Sequence, residues 1–400
     1  MPERTLVVIG GGLVGLGVAY RASASKRFDR IVVLEKENQA GRHQSTHNSG
    51  VLHCGLYYQP GSLKAKLAVE GLAMMTDFCA EFDIDHEICG KIVLAVDEEE
   101  VPRLKDLQER GKRNGLIGLE WLEEAAIRER EPHARGVAAL LVPQEGIVDY
   151  RAVVDRLVYE IESAGHEVVT GVEVTDLVDE GNQVRVVAGD RSWRSDFVVA
   201  CAGLQSDRIA EMGSEGRGEA QIVPFRGEYF ELSKAGESLV NHLIYPVPDP
   251  RLPFLGVHYT RMIGGGVEAG PNAVLALKRE GYRKTDFSLR DLGETLAYPG
   301  FLRFIKKYPK AVLSEFSNSF SKRVFLKNLQ RMVPDIREEH LGEVGASGVR
   351  AQAISRQGDL LMDFAFRRGP KQLHVINAPS PGATACLAIG QYIVDQISEE

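Results

Sequence analysis

Residues 5–10 form an unbroken apolar, β-branched run ending in glycine, the pattern of a short strand buried on both faces. Residues 13–26 then place Leu13, Leu16, Ala19 and Tyr20 where a helix would pack them, and residues 31–34 form a second apolar strand ending at Glu35. Helical spacing returns over 62–82 (Leu63, Leu67, Leu72, Met75, Phe78) and over 149–164 (Val153, Val154, Leu157, Val158, Ile161), where Gly165 supplies a stop. Residues 103–114 mix Arg103, Lys105, Asp106, Glu109, Arg110 and Lys112, which predicts a helix with a solvated face; Trp121 beyond it reads as core. Residues 167–169 and 173–178 predict strands, as does 197–203, a second apolar run closing on Gly203, followed by a short helix after Ser206 and Asp207. Strands are also predicted at 223–230 and 255–260. A turn at 264–266 leads into another strand at Val267, which gives a hairpin-like unit. Residues 373–377 predict a strand, and 378–384 a turn into a helix ending near Ile397.

The opening strand, turn, helix and strand carry a specific chemistry. Gly10-Gly11-Gly12-Leu13-Val14-Gly15 spaces Gly10, Gly12 and Gly15 as GxGxxG. The first glycine permits a tight turn, the second lets backbone N–H groups approach a pyrophosphate, and the third lets the helix lie against the sheet. Glu35 falls twenty residues after Gly15, where a carboxylate accepts bonds from a ribose diol and disfavours a 2′-phosphate. The pattern predicts a dinucleotide site for FAD or NAD.

Composition narrows the class. The chain has 400 residues, enough for two or three domains, and a net charge of -8, which argues against nucleic acid as a partner. Five cysteines, none in a CxxC pair, fit a reducing compartment better than a disulfide or cysteine–metal scaffold. No signal-like stretch precedes the first strand and no run of eighteen apolar residues occurs. A cytoplasmic location is therefore expected, with any membrane contact peripheral. One stretch suits such contact: over 301–333, eight basic residues (Arg303, Lys306, Lys307, Lys310, Lys322, Arg323, Lys327, Arg331) stand against Glu315 alone, interspersed with phenylalanines. A packed helix pair with a solvated basic face is the other reading.

After the second strand comes a polar loop, 41–50, in which Ser45, Thr46, Asn48 and Ser49 offer short donors and acceptors to phosphates or a ring system. This loop continues into His47-Asn-Ser-Gly-Val-Leu-His-Cys-Gly-Leu-Tyr-Tyr58. With the glycine fingerprint, that stretch resembles the D-amino-acid-oxidase-like flavoprotein superfamily, and within it the L-2-hydroxyglutarate dehydrogenase/oxidase family. Similar stretches follow in order: Pro60-Gly-Ser-Leu-Lys-Ala65, Pro224-Phe-Arg-Gly-Glu-Tyr-Phe230, His242-Leu-Ile-Tyr-Pro-Val-Pro-Asp249, Gly270-Pro-Asn272, Lys278-Arg-Glu-Gly-Tyr-Arg-Lys284, Gly348-Val-Arg-Ala-Gln352 and Asn377-Ala-Pro-Ser-Pro381. The resemblance implies tightly bound FAD, oxidation of L-2-hydroxyglutarate to 2-oxoglutarate, and electrons passed to a membrane quinone or oxygen. It also implies an α/β Rossmann-like FAD-binding domain interleaved with an α+β substrate domain containing a mixed or antiparallel sheet. The expected division is 1–80, 143–223 and 345–400 for FAD, against 81–142 and 224–344 for substrate. By the same resemblance Val174 lies beside the adenine, Gly203 borders the FAD, and a turn and helix start at Pro381, Gly382, Ala383 and Thr384 faces the electron-rich end of the reduced flavin.

Oxidising a 2-hydroxy dicarboxylate needs a base at the hydroxyl, cations for two carboxylates and a rigid pose. His258 and His53 are the leading bases, ahead of His242 and His43. By the resemblance His53 lies beside the flavin, where related flavoproteins sometimes carry a covalent histidine link. Arg350 is the first choice of carboxylate clamp, with Arg226 and Lys278 for the distal carboxylate. Tyr245, Tyr259 and Asn272 are expected to orient the substrate. The i,i+4 pair His43 and His47 sits in a glycine- and serine-rich setting unlike a zinc helix, and no metal site is expected. An amine or amino-acid oxidase, or a non-catalytic FAD protein, shares the nucleotide features and would differ in the pocket.

Overall fold

The structure is a computed structural model and describes residues 3–213, 218–251, 254–309, 321–345 and 347–397. The first apolar run becomes the strand Thr5–Ile9, buried at every residue. It sits inside a six-stranded sheet in the order 365–369, 372–377, 197–200, 5–9, 30–34, 167–169. All neighbours are parallel except Ala365–Gly369, which runs antiparallel to Gln372–Asn377. Successive side chains point to opposite faces of a strand. Leu6, Val8, Ile31 and Val33 accordingly join the helices Leu13–Ser25, Leu63–Glu81, Tyr150–Ser163 and Cys386–Ile397 in one apolar cluster. Val7, Ile9, Val32 and Leu34 pack on the other face against a three-stranded antiparallel sheet, 176–179, 184–188 and 191–195. Both faces are covered, so the strands are apolar throughout rather than alternating.

Helix boundaries follow local chemistry. Ser62 Oγ accepts the Ala65 N–H ahead of Leu63–Glu81, and Asp149 accepts the N–H groups of Arg151 and Ala152 ahead of Tyr150–Ser163. The first and last helices cross at two glycines: a Cβ on Gly390 would stand 2.4 Å from the Gly17 carbonyl oxygen.

A second layer is an eight-stranded mixed sheet in the order 341–344, 230–232, 267–270, 258–261, 243–246, 91–95, 138–142, 120–123. Only Leu243–Pro246 and Lys91–Ala95 pair in parallel. In a separate three-stranded sheet, Ala220–Gly227 pairs antiparallel with Gly348–Ser355 over eight residues, setting Phe225 opposite Arg350.

Several predicted elements change. The run 223–230 divides into Ala220–Gly227 and Phe230–Leu232, which enter different sheets. The strand predicted from 173 begins at Asp176, because 172–174 turn toward a cavity. The strand predicted from 255 begins at His258. In the basic stretch 301–333, residues 310–320 lie outside the described residues. Flanking them, Pro299–Lys307 and Lys322–Gln330 are helices whose Phe301, Phe304 and Phe325 are buried core. Their cations find partners in distant segments: Lys307 pairs with Asp359, and Arg331 with Glu100. Among the described residues no helix is long and apolar enough to cross a membrane.

Candidate active site

One cavity of about 1090 Å³ runs from the glycine turn to the central strands of the mixed sheet. That exceeds the roughly 300–1,000 Å³ of sites for drug-sized ligands and suits an extended dinucleotide. At its first end lie Gly10, Gly12, Leu34, Glu35 and 172–174, with Val174 among them. Gly15 does not line the cavity. It packs under the turn, where a Cβ would stand 1.9 Å from the Gly10 carbonyl oxygen. Glu35 accepts the Gly11 N–H at 2.7 Å through one oxygen and the Glu37 N–H at 2.9 Å through the other, so its carboxylate is held rigidly at the strand end.

The loop 41–50 works as much on itself as on a ligand. Ser45 Oγ accepts the Leu13 N–H at 2.9 Å, capping the helix from outside. Asn48 donates to the Gln44 and Ser45 carbonyls and accepts the Gly50 N–H. Both residues and Ser49 line the cavity, whereas Thr46 is turned onto the Gly41 carbonyl. Gly203, Pro381, Gly382, Ala383 and Thr384 complete the lining along the cleft. A bare backbone cradle at a helix start, a fixed acid and a long cleft fit an FAD, which Gly10, Gly12, Glu35, Ser45 and 381–384, all on the cavity lining, could hold.

The other end gathers His53, His258, Arg350 and Tyr245 from four separate segments. His258 is stacked on Tyr245, ring centroids 3.8 Å apart, and its Nδ1 donates to the Gly256 carbonyl at 2.9 Å. Burial, with smaller contributions from Arg350, His53 and Lys91, pushes its pKa down to about 3, so the ring is neutral at ordinary pH. His53 sets Nδ1 3.2 Å from Glu145 Oε2 and donates its backbone N–H to Thr384 Oγ1. Behind it, Glu145 lies 2.9 Å from Lys91 Nζ, both fully buried. Burial alone would push the Glu145 pKa up, but Lys91 and His53 outweigh it and hold the carboxyl below the usual range.

Other expected residues go elsewhere. Tyr259 follows His258 on the strand, so it points through the opposite face and donates to the Leu329 carbonyl in a separate core. Arg226 and Asn272 lie outside the cavity lining and are both bound to Glu228, Arg226 at 3.0 Å and Asn272 at 2.9 Å. Lys278 is exposed and also outside the lining. His242 is bonded to Glu131. His43 bonds Tyr282 and Glu37. Ligand-type atoms of Glu37, His43 and Glu280 lie within 4.8 Å of one another, yet Lys36 Nζ, 2.5 Å from Glu37 and 2.9 Å from Glu280, already supplies the cation there.

Lys64 and Tyr57 also line the cavity, and the buried Lys91–Glu145 pair stands behind it, none of them among the expected site residues. Lys91 opens the apolar strand Lys-Ile-Val-Leu-Ala, and a lysine inside such a run signals a buried partner. The charged helix Val101–Arg113 is not solvated all round: Arg103, Asp106 and Arg110 line the cavity mouth.

Fold and cleft define a flavin-dependent oxidoreductase. The family model described as FAD dependent oxidoreductase matches residues 5–396, and the chain belongs to that family. Over 385 residues it is 46% identical to the L-2-hydroxyglutarate dehydrogenase of Indibacter alkaliphilus, with 96% of each chain covered. It is 42% identical to that of Escherichia coli K12 over 392 residues, covering 98% of this chain and 92% of the relative. The human mitochondrial L-2-hydroxyglutarate dehydrogenase is 41% identical over 411 residues, covering 98% and 88%. The fold is shared with the FAD-bound L-alpha-glycerophosphate oxidase of Mycoplasma pneumoniae, at a TM-score of 0.78 and 21% identity over 100% of this chain and 95% of that one. It is also shared with glycine oxidase of Geobacillus kaustophilus, at 0.73 and 18%, over 99% and 95%. FAD is the cofactor.

Proposed function

We propose that this chain oxidises the C2 hydroxyl of L-2-hydroxyglutarate to give 2-oxoglutarate. FAD, when bound, accepts the C2 hydride. The observation that carries the reading is the convergence of two imidazoles and a cavity-lining arginine at one end of the dinucleotide cleft, in a chain 46% identical to a dehydrogenase of that name. Arg350 grips one carboxylate through two parallel N–H bonds, which fixes the C2 carbon relative to the imidazoles. Lys64, buried and on the cavity wall, adds a second cation for a dianionic substrate. Tyr245 and the walls around it exclude water from the reacting carbon.

We read residues 1–80, 143–223 and 345–400 as the cofactor domain and 81–142 with 224–344 as the substrate domain. Electrons leave to a membrane quinone, and the basic helices within 301–333 give peripheral contact with an anionic lipid surface on the cytoplasmic side.

The test is an anaerobic visible spectrum of the purified protein with L- and D-2-hydroxyglutarate in turn. Bleaching of the flavin bands by the L form alone is expected. Bands unchanged by either form, or bleached by an amino acid instead, overturn the substrate assignment.

A further inference from the structure

We propose that Glu145 is a positioning residue that makes His53, rather than His258, the acceptor of the substrate hydroxyl proton; this rests on the 2-hydroxy-acid reading above. Two imidazoles line the same end of the cavity, and their Nδ1 partners differ in charge. His258 Nδ1 donates to a neutral carbonyl, that of Gly256. Its ring is buried against Tyr245, and the charges around it are Arg350, Lys91 and any proton on His53. A proton arriving on His258 meets cations.

His53 meets an anion. An ionised carboxylate only accepts, so the contact between His53 Nδ1 and Glu145 Oε2 at 3.2 Å places the hydrogen on Nδ1 and leaves the lone pair on Nε2. Nε2 has no hydrogen-bond partner among the described residues, and the ring lines the cavity. Glu145 is in turn fixed from three sides. Its Oε1 accepts the backbone N–H and the thiol of Cys54, each at 3.1 Å, and lies 2.9 Å from Lys91 Nζ. Lys91 keeps the carboxylate ionised in the interior, where an unpaired anion would be protonated or expelled. The His53 backbone is pinned as well, through its N–H to Thr384 Oγ1, which is itself 2.7 Å from the Tyr150 hydroxyl. The titratable groups near His53 among the described residues include Glu145, Lys91, Cys54, Tyr57, Tyr58, Tyr150, Tyr245, His258 and Arg350, and of these Glu145 is the one carboxylate.

The transfer balances. The hydroxyl proton passes to His53 Nε2, and the O–H electron pair becomes the second C2–O bond. The C2–H pair departs as the hydride that FAD takes up. Glu145 gains no proton; its charge offsets the imidazolium.

Side-chain ¹⁵N spectra of the full-length holoenzyme test the pairing without substrate, with His53→Gln used to assign the signal. Wild type should show Nδ1-protonated His53. Glu145→Leu/Lys91→Met, which removes the buried pair together so that no lone charge is left in the core, should shift it toward the Nε2-protonated tautomer. In anaerobic stopped flow the same double variant, and Glu145→Gln, should slow flavin reduction about 100-fold with substrate Kd changed by no more than about threefold. His53→Asn should slow it more than His258→Asn. His53 protonated on Nε2 in wild type, or unchanged reduction in the double variant, overturns the proposal. If wild-type flavin is not bleached by L-2-hydroxyglutarate, the substrate reading falls, and the ¹⁵N spectrum still decides the Glu145–His53 pairing.

Discussion

Lys64 holds its ammonium 4.5 Å from the centroid of the Tyr58 ring and donates to the Met362 carbonyl at 3.1 Å. Burial pushes its pKa down to about 8, with Asp363 opposing weakly. In wild type the KM for the dicarboxylate should therefore rise as pH passes through about 8 and the ammonium discharges. Lys64→Met should raise KM about tenfold at pH 7 and flatten that rise, read by steady-state kinetics across pH 6.5–9.5. The stability effect has the opposite sign. A lysine whose folded pKa is depressed is penalised in full below about pH 8, and the penalty fades toward its unfolded value. Lys64→Met should stabilise the fold at pH 7 by on the order of 2 kcal/mol, measured by thermal melting.

Arg350 leaves the strand Gly348–Ser355 with its guanidinium 5.8 Å from the Phe254 ring centroid. Arg350→Lys keeps the charge and loses the planar fork, so KM should rise about 10–100-fold. FAD content, from the ratio of visible to ultraviolet absorbance, should not change.

Glu268 and Glu231 face each other across the strands Val267–Gly270 and Phe230–Leu232. Burial first and Glu231 second push the Glu268 pKa up to about 7. Between the ordinary carboxyl range and pH 7 the folded chain binds more protons than the unfolded one, so stability falls as pH rises through that window. Glu268→Gln should raise the melting temperature by a few degrees at pH 8, an effect on the order of 2 kcal/mol, and much less at pH 5. Equal shifts at both pH values would show that the gain is not electrostatic.

Gly390 stands so close to Gly17 that any side chain displaces one helix from the other. Gly390→Val should cost about 3 kcal/mol or more and loosen FAD, because the helix Leu13–Ser25 carries the nucleotide turn. Denaturant melts followed by flavin fluorescence would show both, with flavin released at lower denaturant than in wild type.

The dinucleotide half was legible because its determinants are local. A buried strand, a three-glycine turn and an acid at the next strand end lie within 35 consecutive residues, and their spacing alone sets the geometry. Helix ends at Ser62 and Asp149 were legible for the same reason, since a cap acts within its own turn.

The reacting end was legible only as residue types. His53, His258 and Arg350 led the candidates from the sequence, but nothing there excluded Tyr259, Arg226, Asn272 or Lys278. What separates them is which face of a strand each takes, and whether a distant carboxylate has already claimed the side chain, as Glu228 claims Arg226 and Asn272. Two cations of the basic stretch, Lys307 and Arg331, likewise have their counter-charges, Asp359 and Glu100, far off in the chain. Lys91, set in an apolar strand, hints at a buried partner, but Glu145 lies 54 residues away and nothing in its own neighbourhood marks it as that partner. Local spacing fixed the class of cofactor, because backbone geometry is written in neighbouring residues. The tertiary structure decided which of His53 and His258 has an anion behind it, because charge compensation acts through space rather than along the chain.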